Sequence, residues 1–146
     1  MIIDFHVHLS RPEHGQPWVM DWMKENFKGD LNEYMERVLT PAGIRQHLQA
    51  NDIDWAVGLA EVSPITTGTA DNEYVGRFCA DANGIADPAS GPRGRVLPFA
   101  SINPFIVNDL AAELERLVKE FDFRGIKVYP TYQHHYANDP RMYPLY

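Results

Sequence analysis

Short apolar runs with strand character alternate along this chain with amphipathic runs of helical length, and that rhythm limits the fold more than any other feature. Residues 2–9, 55–61 (WAVGLAE), 95–102 (RVLPFASI) and 124–129 (RGIKVY) read as strands. The spacing predicts helices over 41–51, 71–83 and 108–121, and Asn138-Asp139-Pro140 opens another. The helix over 108–121 is the clearest. Leu110, Leu114, Leu117, Val118 and Phe121 recur at the 3.6-residue period, with Asn108 as a natural N-cap. Thr40-Pro41 gives the first helix a cap and a first-turn proline, and Ile44 and Leu48 share its face. Tyr74, Val75, Phe78 and Cys79 form the apolar face of the second, which Asn83-Gly84 ends. Pro98 weakens the third strand, because proline has no N–H to give a ladder. Alternation at this spacing implies α/β architecture with parallel strands and right-handed crossovers.

Two stretches fall outside the rhythm. Residues 10–39 carry Trp18, Trp22, Phe27 and Tyr34 among Pro12, Gly15, Pro17 and Gly29, which suits an inserted loop region with one or two short helices. A connection of that length is usually functional or disordered. Residues 85–94, rich in Pro, Gly, Ala and Ser, read as loop. The whole chain, 1–146, reads as one domain, long enough for a real core.

Charge narrows the partners. The net charge of -7, from 13 basic and 20 acidic residues, argues against nucleic acid and leaves a small-molecule substrate as the expected partner. No stretch approaches the ~20 apolar residues of a membrane span. Cys79 is the only cysteine, so no internal disulfide forms. Together with an opening, MIIDFHVHL, that lacks a basic leader region, this makes a cytoplasmic setting the expectation.

The first strand carries the chemistry. Successive strand side chains point to opposite faces. Ile3, Phe5, Val7 and Leu9 should therefore pack on helices, while Ile2, Asp4, His6 and His8 face something polar. His6 and His8, at i and i+2, lie roughly 7 Å apart along one face, close enough to lean together onto one divalent cation. An H-x-H pair also arises by chance, as two partly exposed strand histidines. Its place on the polar face, at the C-terminal end of a first parallel strand, is what gives it weight.

The segment Ile3-Asp4-Phe5-His6-Val7-His8-Leu9 resembles the opening strand of the amidohydrolase superfamily. Three later segments resemble its amidohydrolase-2 branch, which includes the aminocarboxymuconate-semialdehyde decarboxylase-like enzymes. They are Phe99-Ala100-Ser101-Ile102-Asn103-Pro104, Phe123-Arg124-Gly125-Ile126-Lys127-Val128-Tyr129-Pro130, and Asn138-Asp139-Pro140-Arg141-Met142-Tyr143-Pro144-Leu145-Tyr146. The resemblance covers nearly the whole chain apart from residues 10–39. It implies a TIM-type (β/α)8 barrel of which this chain is the N-terminal half, about four βα units. It also implies one or two divalent metals, zinc first and Mn²⁺ as the alternative. The family takes ligands from a strand 1 histidine pair, from histidines at strands 5 and 6, and from a strand 8 aspartate. Only the pair has matching positions here, His6 and His8.

A complete barrel takes about 250 residues. The expectation is therefore either a truncated piece or a half-barrel that associates, as a homo-oligomer, through its free strand edges. The complete enzyme is expected to be a metal-dependent hydrolase or non-oxidative decarboxylase acting on a small carbonyl or carboxylate compound. These 146 residues alone should be nearly inactive. The rival readings are a TatD-like or PHP-like phosphoesterase and a non-catalytic half-barrel. The Gly-Ile-Lys-Val-Tyr-Pro segment argues against the phosphoesterase.

Several further residues are candidates. Lys127 and Tyr129 should face the lumen while Ile126 and Val128 face helices. Lys127 is a candidate for metal, for a substrate carboxylate, or for an ion pair with Asp4 or Glu61, the last being the blander role. Carboxylated lysines at strand 4 bridge metals in other branches of the superfamily. His134 and His135 follow strand 4 and are substrate-contact candidates with Tyr129, against a reading as plain exposed loop. Glu61 and Asp4 are candidates to orient a ligand histidine. Trp18 and Trp22 read as rim cover, His14 and His47 as without a role, and Cys79 as an inert core thiol.

Overall fold

The computed structural model describes residues 1–85 and 93–146, so most of the loop expected over 85–94 lies outside the described residues. The chain opens with β1 (Ile3–His8), a 3-10 turn at Pro12–His14, α1 (Pro17–Asn26), α2 (Leu31–Val38) and α3 (Pro41–Ala50). It continues through β2 (Trp55–Leu59), β3 (Glu61–Ser63), β4 (Gly68–Ala70), α4 (Asn72–Gly84), β5 (Arg95–Ala100), α5 (Leu110–Phe121), β6 (Gly125–Ile126) and a 3-10 helix at Pro140–Leu145. Four strands form one sheet in the order β1-β2-β5-β6, every pair parallel. The helices pack on one of its faces. Parallel strands in sequential order with helices on one face make the wall of half a (β/α)8 barrel. Among the described residues no helix is long and apolar enough to cross a membrane.

The core lies between sheet and helices. Leu9, Ala56, Ala60 and Val96 meet Ile44 and Leu48 of α3 and Val75, Phe78, Cys79 and Ala82 of α4. Ala100 and Ile102 meet Leu110 and Leu117 of α5, with Phe123 and Met142 closing that cluster. The helix over 108–121 begins later than expected. Asp109, not Asn108, is the N-cap, and its carboxylate accepts from Ala112 N–H at 3.0 Å. Aspartate adds favourable charge at a helix N-terminus, which asparagine lacks. The helix expected after Asn138 is a 3-10 helix capped by Asp139. Residues 10–39 are more ordered than a loop. α1 and α2 bury Met20, Leu31, Met35 and Leu39 in a small cluster of their own.

Strand 1 departs from simple alternation. Its register against β2 slips between Asp4 and Val7, a bulge that turns the chain over by one side chain. Asp4 pairs with Ala56 on the helix-facing side, and Phe5 instead reaches the other face, edge-on to Phe99 at 5.8 Å. Beyond the bulge the expected faces return, with Val7 and Leu9 on the helix-side core. So the predicted packing of Ile3 and Phe5 on helices is corrected, and both are exposed.

Pro98 sits in mid-strand without penalty. Its carbonyl accepts from Arg124 N–H on the β6 side, where β6 begins only at Gly125, so its missing N–H leaves no β2 acceptor unpaired. β6 is shorter than the 124–129 expected, although Lys127 N–H still donates to Ala100 O at 2.7 Å. The antiparallel hairpin β3–β4 has no counterpart in the sequence expectations. Gly68 holds a φ of +130° there, against Gly15, and a Cβ would collide with the His14 carbonyl.

Candidate metal centre

The bulge in β1 delivers His6 and His8 to the open face of the sheet. Asp4 stabilises the bulge by accepting from His6 N–H at 3.1 Å, so its carboxylate serves backbone rather than an imidazole. The two rings lean together until His6 Nε2 and His8 Nε2 are 3.0 Å apart. Two lone pairs that close repel unless a proton or a cation lies between them. Nitrogens sharing one tetrahedral zinc at ~2.0–2.1 Å stand ~3.3 Å apart. The observed approach is near that value.

The outer ring nitrogen of His8 faces Glu61, with Nδ1 3.6 Å from Oε2. Glu61 begins β3 and is held by the Thr67 hydroxyl across the hairpin. A carboxylate behind Nδ1 with Nε2 facing inward is how a ligating histidine is usually oriented. Desolvation pushes the His8 imidazolium down to about 4, and the charges of His6 and Lys127 push the same way, so the ring is a neutral donor. Burial raises the Glu61 carboxyl, opposed by the Thr67 hydroxyl and by Lys127.

The loop after β6 completes the surroundings. His6, His8, Lys127 and Tyr129 line one pocket of about 400 Å³ together with Tyr132. Lys127 and Tyr129 thus lie on the open side as expected, while Ile126 and Val128 pack on the helix-side core. Lys127 Nζ stands 5.5 Å over the Tyr129 ring and within Coulombic reach of Glu61 and His8. Tyr129 is buried, 6.5 Å from the His8 ring, and its hydroxyl donates to Ala60 O at 3.0 Å. That hydroxyl ties the loop to the end of β2. Burial raises the Tyr129 phenol well above its ordinary range.

His134 and His135 separate. His135 is buried, with Nε2 3.2 Å from Gln133 Oε1 and Nδ1 3.1 Å from Tyr136 O, and so braces the loop from inside. His134 adopts a left-handed φ of 57° and lines a different pocket. Trp18 donates to Thr66 O at 2.9 Å and covers the hairpin turn, Trp22 is exposed, and His14 packs on Tyr74. Cys79 is in the core and its thiol is pushed up to about 12.

Sequence reasoning missed the roles of two asparagines on α4, one beyond each end of the β5 pairing with β6. Asn72 pairs with both backbone groups of Ser101, and Asn83 with both backbone groups of Val96. Each amide takes the place of a neighbouring strand where β5 has none. Ser101 Oγ accepts from Val62 N–H and from Gln133 Nε2, which joins β3 and the β6 loop to β5. The only signal in the sequence was an asparagine at either end of a predicted helix.

Among the described residues no group of three or more His, Cys, Asp or Glu converges as a metal site would. The fit to a divalent cation therefore rests on the pair. Two imidazoles converge through Nε2, with a carboxylate behind one of them, and they fit as part of a larger ligand set.

No curated protein matches this chain. A crystal structure described as amidohydrolase II is similar to it at 19% identity and a TM-score of 0.48, over 99% of this chain and 45% of that one. The chain thus spans less than half the length of that neighbour. The amidohydrolase family matches from residue 3 to residue 146, taking in the histidine pair, the hairpin and the Lys127 loop, and this chain belongs to that family.

Proposed function

We propose that this chain is the histidine-bearing half of a metal-assisted hydrolase acting on a small carbonyl or carboxylate compound. The observation that carries it is the 3.0 Å approach of His6 Nε2 and His8 Nε2 on the open side of a parallel sheet. What a divalent cation supplies at such a pair, zinc first and Mn²⁺ second, is Lewis acidity toward a carbonyl and a water acidified toward pKa ~7. His6 and His8 would hold it. Glu61, 3.6 Å behind Nδ1, keeps the His8 ring turned inward. Lys127 places a positive charge on the same pocket. Tyr129 positions the Lys127 loop against Ala60.

Non-oxidative decarboxylation is the second reading, favoured by one observation. The Lys127 cation beside the histidines would hold a substrate carboxylate next to the Lewis acid.

Titration with Zn²⁺ followed by calorimetry tests the proposal. Binding is expected in the native chain and is lost in His6→Ala and His8→Ala. Equal binding by the doubly substituted chain would refute it. Turnover of amides, lactones or aromatic carboxylates by these 146 residues is expected to be slight, since the pair supplies only part of a ligand set.

A further inference from the structure

The Glu61 carboxylate divides its oxygens between two partners. Oε2 faces His8 Nδ1 at 3.6 Å, and Oε1 accepts from the Thr67 hydroxyl. At 3.6 Å the contact with His8 is longer than a hydrogen bond, so the carboxylate steers the ring only while it stays in place. A glutamate side chain is long and rotates freely unless held. Another attraction is near, since Lys127 lies within Coulombic reach of the same carboxylate. The Thr67 hydroxyl ties down the oxygen that His8 does not face. It has a single proton to give, and a β-branched side chain keeps few rotamers from which to give it. Thr67 is fixed in turn from outside the hairpin. Its carbonyl accepts from Gln16 N–H at 2.9 Å. The next residue, Gly68, lies so close to the His14 carbonyl that a Cβ would collide with it. On the other side, the Thr66 carbonyl accepts from Trp18 Nε1 at 2.9 Å, and the Thr66 hydroxyl donates to Tyr132 O at 2.8 Å. A hairpin of two three-residue strands is marginal alone. Its turn hangs on the segment 10–39 and on the loop after β6.

We infer that Thr67 is a positioning residue of the histidine pair: it holds Glu61 so that His8 presents Nε2 to the pocket. Gln16 and Trp18 hold the turn that carries Thr67, which gives the segment 10–39 a part in the site. A carboxylate behind Nδ1 favours the tautomer with its proton there, and Nε2 then offers a free lone pair. Without the Thr67 proton, the carboxylate is free to turn toward Lys127, and the His8 ring loses that bias. The consequence for metal affinity rests on the hydrolase reading above. The setting of the His8 ring does not depend on that reading.

Imidazole ¹⁵N spectra of the purified chain at pH 8, without metal, read the His8 tautomer directly. His8 is expected to carry its proton on Nδ1. Thr67→Val keeps the shape of the side chain and removes the hydroxyl, and it should shift the ring toward the form protonated on Nε2. Thr67→Ser should restore the native spectrum. A native His8 protonated on Nε2, or a ring unmoved by Thr67→Val, overturns the inference. Zn²⁺ calorimetry then reads the consequence. Glu61→Ala should weaken binding about 10–100-fold, as loss of a carboxylate behind a ligand histidine does, and Thr67→Val about tenfold. Added to Glu61→Ala, Thr67→Val should cost nothing further, because residues that act through one another are not additive. An additive loss would mean that Thr67 serves the hairpin alone, and it refutes the positioning role. A chain whose His8 tautomer follows Thr67 as expected, yet binds no Zn²⁺, would leave the role of Thr67 standing and overturn the hydrolase reading alone.

Discussion

At the scale of single residues, the chemistry is decided by what surrounds each titratable group. The two histidines were visible as a pair in the sequence, but their separation was not, because it depends on the bulge at Asp4–Val7. The same holds for Cys79. Packed among Ala82, Phe78 and Val75, its thiol is pushed up to about 12 by burial. It should resist alkylating reagents at pH 8 and react only as urea unfolds the chain, with reactivity tracking the unfolding curve. Asp139 shows the opposite shift. The Arg141 guanidinium, and then the Arg141 backbone N–H, hold its carboxyl down to about 2. A depressed folded pKa stabilises the fold while the group is ionised. Its contribution is full above the unfolded value of about 4 and fades as pH falls through 2. Urea midpoints of the native chain and Asp139→Asn should therefore differ at pH 6 and converge near pH 2.

At the scale of elements, patterning located most of the structure, and side-chain hydrogen bonds corrected it at the ends. The two candidate caps of α5 give a direct comparison. Asp109→Ala should cost about 1 kcal/mol, as loss of an N-cap does, while Asn108→Ala leaves the urea midpoint almost unmoved. Asn83 read as a helix terminator but works as a substitute strand for Val96. Asn83→Ala would strand two backbone groups of β5 and should cost about 1–3 kcal/mol in urea unfolding. A cost near zero would mean that water replaces the amide. The β3–β4 hairpin was missed for a related reason. Its strands are Glu61–Ser63 and Gly68–Ala70, too short to show alternation. The first of them is held at Val62 by Ser101, Asn103 and Gln133 from distant parts of the chain.

At the scale of the whole molecule, four parallel strands in sequential order bear helices on one face and leave the other open, and among the described residues no strand pairs with the outer edges of β1 and β6. Zn²⁺ should raise the melting temperature of this chain through the histidine pair, because a ligand that binds only the folded state stabilises it. His6→Ala should remove that rise in a thermal scan. What the sequence determined alone is the order and type of the main elements, the apolar helix faces and the placing of an H-x-H pair at the end of the first strand. Those follow from local periodicity, which neighbouring residues carry among themselves. Only the tertiary structure decided that Phe5 leaves the core, that His135 turns inward while His134 lines a second cavity, and that Glu61 stands behind His8. Each of these depends on contacts between segments far apart in the chain, where a one-residue slip in register or a single amide across a strand end changes which face a side chain meets.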